Sequence, residues 1–248
     1  MTVSEKDFVF CIENDDSPIL ITVPHGGLKN AAGSWLGSCF QKRLKSEQSE
    51  KNYIHGEKIV LGGDGQILHI VGDILKHYKA TMIAGLLPRE FVDYNRFVPE
   101  VAYVDPAIKP FYDAYHSSIS RTIERLQRKW QHVTLLDFHG FGKQPMEGRE
   151  FDIVLGTNGE SSPRGIDRLF YDSLMGKCHI FSAGRDGLPE ETDLYRGDTT
   201  NLFYHKKYGV DGVLVEIAPR FRSRTLPESL QDGIVLSKDI AIVLNSIE

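Results

Sequence analysis

"SPILITVPHGG", residues 17–27, holds an unbroken run of apolar and β-branched side chains from Ile19 to Val23, and then stops at Pro24, His25 and two glycines. A run without polar alternation predicts a strand buried on both faces. Burial on both faces belongs to a sheet covered by helices above and below. Further runs of the same kind follow: "ATMIAGLL" (80–87), "VTLLDF" (133–138), "FDIVLG" (151–156), "CHIFSA" (178–183) and "GVLVEIA" (212–218). Helical periods separate them. Ile67, Leu68, Val71, Ile74, Leu75 and Tyr78 recur at helical spacing over 65–78, with Asp64 where an N-cap would sit. From Ile108 to Trp130 the period is clearest, with Arg121, Glu124, Arg125 and Arg128 on the opposite face. Two more helices are expected near 163–176 and 227–246, and residues 28–63 read as a long excursion with one short helix. The expectation is a single α/β domain over 1–248, a three-layer α/β/α sandwich on a mostly parallel or mixed central sheet.

Composition narrows the function. The chain has 248 residues, 41% of them hydrophobic and 25% charged, enough to bury a sizeable core. The net charge of −5 and the pI near 6.0 argue against a nucleic-acid surface, which needs clustered excess Lys and Arg. No apolar run approaches the ~20 residues of a membrane span, and "MTVSEKDFVF" lacks the apolar core of a signal peptide. Three scattered cysteines, Cys11, Cys39 and Cys178, suggest reduced thiols and a cytoplasmic protein.

Open α/β sheets place ligands at the carboxyl ends of their strands. The first strand delivers His25 there. The strand at 80–87 delivers Arg89, Asp93, Asn95 and Arg96; the strand at 133 delivers Asp137 and His139; the strand at 212 delivers Glu216, Arg220 and Arg222. A lone histidine after a strand is most often a hydrogen-bonded turn residue, and Asp137 could serve only to cap a backbone amide. Glu216 is different, because an acid inside "VLVEIA" is costly to bury unless it is paired or working. Two His–Gly strand ends, a buried Glu and an arginine cluster together fit zinc-assisted hydrolysis. Catalytic zinc takes three protein ligands and one open position for water, so two histidines need a third ligand, commonly a carboxylate. Glycine after each histidine would let metal and substrate approach the backbone. Asp137 could orient a ligand, Glu216 would take the proton from metal-bound water, and the arginines would grip a carboxylate and polarise a carbonyl.

In this order, "PHGG", "REFVDYNR", "YDAYHSSI", "LLDFHG", "DIVLGT" and "VLVEIAPRF" resemble the N-formylglutamate amidohydrolase family over about residues 18–222. The seven-residue step from Arg89 to Arg96 and an Asp before the first long helix, here Asp64, match that family's pattern. The resemblance implies a zinc-carboxypeptidase-like hydrolase fold with one zinc held by His25, Asp64 and His139. It implies Glu216 as base, Arg89 as oxyanion stabiliser, and Asn95 and Arg96 as holders of the substrate carboxylate. Arg220 joins the substrate side, with Arg222 as a further candidate for the clamp. The implied reaction removes a formyl or other acyl group from an acidic amino acid, as in histidine degradation. Two other readings are a zinc peptidase of a peptide or cell-wall amide and a non-catalytic carboxylate-binding relative. Tyr94 and Gly140 depart from the family's usual Leu and Ser. His116 also matches a family position, although its place inside a long helix equally suits a structural role.

Overall fold

The computed structural model describes residues 8–26, 53–54, 57–58, 64, 66–87, 89, 91–103, 105–142, 144–145, 147–182, 195, 197, 199–222 and 226–247. Among them the chain forms β1 (Val9–Ile12), β2 (Ile19–Val23), β3 (Tyr53–Ile54), β4 (Glu57–Lys58), α1 (Ile67–Ile74), β5 (Thr81–Gly85) and α2 (Pro99–Ala102). A 3₁₀ turn (Pro106–Ile108) leads into α3 (Lys109–Gln127), followed by β6 (Thr134–Gly140), β7 (Ile153–Gly156), α4 (Ile166–Leu174) and β8 (Ile180–Ser182). The chain ends with α5 (Thr200–Tyr208), β9 (Asp211–Ile217), α6 (Pro219–Arg222) and α7 (Pro227–Leu244). The α/β sandwich expected from the apolar runs is the architecture observed. The short helix expected within 28–63 lies outside the described residues; what is described of that stretch is the antiparallel pair β3 and β4.

Seven strands form one mixed sheet in the order β1-β5-β2-β6-β9-β7-β8. The central four, β5, β2, β6 and β9, run parallel, while β1 and the β7–β8 pair run antiparallel to them. The period of two in each strand sorts its side chains between two cores. Ile19, Ile21 and Val23, Leu136 and Phe138, and Val213, Val215 and Ile217 pack with α1, α4 and α7. Leu20 and Leu135 face the other way, toward Tyr115, Ile119, Ile123 and Leu126 of α3 and Tyr204 of α5. All five residues of β2 are fully buried, as a strand covered on both faces requires.

The second face changes character toward the carboxyl ends of the parallel strands. Thr22 lies opposite Asp137, and His139 lies opposite Glu216. These four share the face that carries Leu20 and Leu135 below them. The register thus builds a polar floor on an apolar wall. Pro24 has no N–H to extend the ladder, and His25 follows at the end of the strand, almost wholly shut off from solvent.

Candidate metal centre

His25 and His139 reach the same carboxylate oxygen from neighbouring strand ends. Nδ1 of His25 lies 3.1 Å from Oδ2 of Asp64, and Nδ1 of His139 lies 2.9 Å from that oxygen. Their rings meet edge to face at 5.0 Å. Each ring anchors its other nitrogen on an outer acid: Nε2 of His25 on Asp93 at 2.8 Å and Nε2 of His139 on Asp137 at 3.0 Å. Thr22 in turn donates its hydroxyl to the second oxygen of Asp137 at 2.6 Å. Arg89 holds Asp93 through Nη2 at 2.9 Å, and its Nη1 stands 3.7 Å from the free oxygen of Asp64.

Electrostatics follow from these distances. Burial alone would raise the Asp64 carboxyl, but His25 and His139 pull it well below the ordinary carboxylate range. Asp93 behaves the same way, with His25 and then Arg89 overcoming the cost of burial. Burial would lower His139, yet Asp137 and Asp64 push it well above its usual value.

Donor atoms of His25, Asp64 and His139 all lie within 4.8 Å of one another, and all three residues are buried. Two imidazoles and a carboxylate are an N/O donor set suited to a borderline-soft divalent ion. A carboxylate behind each histidine is the usual outer arrangement of a metal-bound imidazole, fixing both the tautomer and the ring plane. Both rings spend Nε2 on that outer acid and turn Nδ1 inward. These residues therefore fit one cation.

Glu216 projects beside His139 from the adjacent strand. Its Oε2 is sealed from solvent and has no hydrogen-bond partner among the described residues. Burial pushes its carboxyl up to about 7, against the pull of His139. A buried carboxyl raised by burial beside a cluster of metal-type donors is chemically able to take up a proton near neutral pH.

The turn from Arg89 to Arg96 forms the adjoining wall. Tyr94, fully buried, seats it: the ring edge occupies the place of a side chain at Gly85, where a Cβ would lie 2.4 Å from the ring. Asn95 Oδ1 accepts from the backbone N–H of Thr200 at 3.1 Å and from its hydroxyl at 2.6 Å, which turns the amide NH₂ the other way. Arg96 is partly exposed, 4.0 Å from Asp93 through Nε.

Three expectations change. Asp64 is not the helix cap: α1 begins at Ile67 behind Gln66, which has φ of 60° and takes the N-cap position without a side-chain cap bond. The two imidazoles take the Asp64 carboxylate instead. Arg220 turns onto Asp152, with Nε and Nη2 both at 2.7 Å, and stacks on Phe221. The space left by Gly140 is filled by the chain itself, through Arg222 and the Asp64 carbonyl. His116 lies in an aromatic cage, its Nδ1 2.8 Å from the Tyr204 hydroxyl, where burial lowers its pKa to about 4. Asp93 was placed at its strand end without a role, and Thr22 was missed as a site residue. The signal for Asp93 was its i+4 spacing from Arg89, and for Thr22 a hydroxyl inside an apolar strand.

No family model matches the chain, and no curated protein matches it. Among solved structures it is similar to N-formylglutamate amidohydrolase from Ralstonia eutropha, at 15% identity and a TM-score of 0.62, over 97% of this chain and 99% of that one. A gene product of Agrobacterium tumefaciens is similar at 16% identity and a TM-score of 0.62, over 97% and 96% of the two chains. These likenesses span both chains nearly end to end, and the fold implied by the sequence motifs is the fold observed. Among the described residues no helix is long and apolar enough to cross a membrane, and Cys11 and Cys178 are free thiols.

Proposed function

We propose that this protein is a metal-dependent amidohydrolase that cleaves the acyl group, formyl in the first instance, from an acidic N-acyl amino acid. One observation carries the reading. His25, Asp64 and His139 converge their donor atoms while the sealed, unpartnered Oε2 of Glu216 stands beside His139. The likeness in fold to N-formylglutamate amidohydrolase supports the choice of substrate.

His25, Asp64 and His139 would hold the ion, zinc by the chemistry of the donors. When bound, it would polarise the scissile carbonyl and acidify a water. Glu216 receives the proton of the attacking water on a carboxylate oxygen that has no hydrogen-bond partner among the described residues. Arg89, fixed by Asp93, offers its remaining N–H groups to the developing oxyanion. Asn95 directs its NH₂, and Arg96 its guanidinium, toward the substrate carboxylate. Arg220 would join them only by giving up Asp152.

Glu216→Gln tests the assignment. The amide keeps the shape and loses the basicity, so kcat should fall by about 10²–10⁴-fold with metal content and melting temperature near wild type. The substrates are N-acyl amino acids, N-formylglutamate first, assayed with zinc and with chelator. An active but destabilised Glu216→Gln would make Glu216 structural. Binding of carboxylates without turnover by the zinc-loaded wild type would make the protein a binding relative.

A further inference from the structure

Asp64 differs from its two partners in how it is held. His25 and His139 stand on strand ends, whereas Asp64 comes 39 residues after His25 and lies outside every helix and strand among the described residues. A ligand on irregular backbone needs another fixture if its carboxylate is to meet two imidazoles.

Arg222 provides one. It is buried at the end of α6 and donates to three backbone carbonyls. Nε reaches Ile217 at the end of β9 at 3.1 Å, Nη2 reaches Phe141 just beyond β6 at 2.9 Å, and Nη1 reaches the carbonyl of Asp64. The guanidinium thus ties the Asp64 backbone to the two strands that carry His139 and Glu216. It does so through the carbonyl, leaving the carboxylate to the histidines and Arg89. Only Arg has a rigid fork of donors wide enough for three such acceptors. Gly140 supplies the room: a Cβ there would lie 2.5 Å from Cζ of Arg222 and 2.5 Å from the Asp64 oxygen.

Resting on the reading of His25, Asp64 and His139 as a metal site, we propose that Arg222 is a positioning residue that makes Asp64 a ligand, and that Gly140 is the vacancy it requires. Three of the five N–H donors of Arg222 go to backbone carbonyls among the described residues, which suits a fixture of the Asp64 backbone better than a clamp on substrate.

Zn²⁺ affinity of the metal-free, full-length protein, measured by competition with a chromogenic chelator, tests this together with thermal melting of the same sample. In Arg222→Met the affinity should fall by about 10–100-fold, the range for residues that orient a ligand, while the metal-free protein still melts cooperatively. Arg222→Lys should recover only part of the loss. Gly140→Ala should give a similar loss with Arg222 present, by displacing the guanidinium and the Asp64 carbonyl together. Wild-type affinity in a folded Arg222→Met, or in Gly140→Ala should Arg222→Met not fold, overturns the proposal. If KM for an acidic N-acyl amino acid then rises instead, Arg222 belongs to substrate binding. A wild-type protein that binds no zinc overturns the metal reading itself, and the wild-type titration alone reveals that outcome.

Discussion

His139 and His116 are two histidines on the same side of the sheet, and their surroundings drive them apart. His139 sits between Asp137 and Asp64, and the two carboxylates raise its pKa well above the usual value despite burial. His116, half-buried on α3, has ring neighbours Tyr112 at 4.3 Å, Phe97 at 5.1 Å and Tyr115 at 5.2 Å, and the Tyr204 hydroxyl on Nδ1. Burial lowers it to about 4, and the more distant Asp137 does not restore it. Loss of solvent is common to both; the partners decide the sign. A histidine with an acid on each nitrogen is held for one ring orientation and one inward-facing atom. A histidine in an aromatic cage is held as a neutral piece of packing that keeps one hydrogen bond.

The sharpest way to break this contrast is to remove the first histidine. His139→Ala deletes one of three donors, so zinc affinity should fall by more than the ~10–100-fold typical of an outer partner. Activity should disappear with it. Metal analysis of purified protein checks the first expectation and turnover of an N-acyl amino acid the second. Stoichiometric zinc in His139→Ala would place the ion elsewhere.

The second histidine should show itself in acid stability. In the native protein His116 resists its proton until about pH 4, whereas in the unfolded chain it accepts one near 6.5. Between those values the unfolded state holds the extra proton, so stability falls as pH falls through this window. The full gap is worth about 3 kcal/mol by pH 4. His116→Phe suits the cage and cannot titrate. Urea unfolding of both proteins from pH 8 to pH 4 should show the wild type losing about 3 kcal/mol more than His116→Phe. Parallel losses would mean that His116 protonates freely in the folded state.

The same two residues show what was legible in the sequence. His139 could be read because β6 is apolar on both faces up to "DFHG", so a polar strand end stood out. Glu216 stood out in β9 for the same reason. The helix carrying His116 was plain from its period, but the cage was not, because Phe97, Phe203 and Tyr204 come from distant segments. β1 escaped because it is an edge strand with Phe10 and Ile12 exposed, so it carries no burial pattern. α5 escaped because Thr200 and Asn201, both fully buried, break the apolar stripe that marks an amphipathic helix. The two residues that steady the histidines, Asp93 and Thr22, were visible only as letters. Their roles depend on strand register and on a turn, which no local period encodes.

The smallest expected effect probes the second acid of His139. Asp137 is fully buried, accepts from Thr22 at 2.6 Å, and faces Nε2 of His139 at 3.0 Å. As a carboxylate it can only accept, so once a cation takes the Nδ1 lone pair of His139 in place of the Asp64 contact, Asp137 keeps the ring proton on Nε2. Asp137→Asn keeps the shape but puts a choice in its place. If the amide NH₂ faces His139, Nε2 must accept, the proton moves to Nδ1 and the inward lone pair is lost. If the amide oxygen faces His139, the tautomer survives, but the Thr22 hydroxyl must rotate to accept from the NH₂. The second arrangement is open to Thr22, so the site should weaken without vanishing, by about 10–100-fold in zinc affinity. Zinc competition measures the loss, and ¹⁵N chemical shifts of the His139 ring in the zinc-loaded protein report the tautomer. Wild-type zinc affinity in Asp137→Asn would mean that packing, and not the carboxylate, orients the ring, and the contrast between the two histidines would then rest on Asp64 alone.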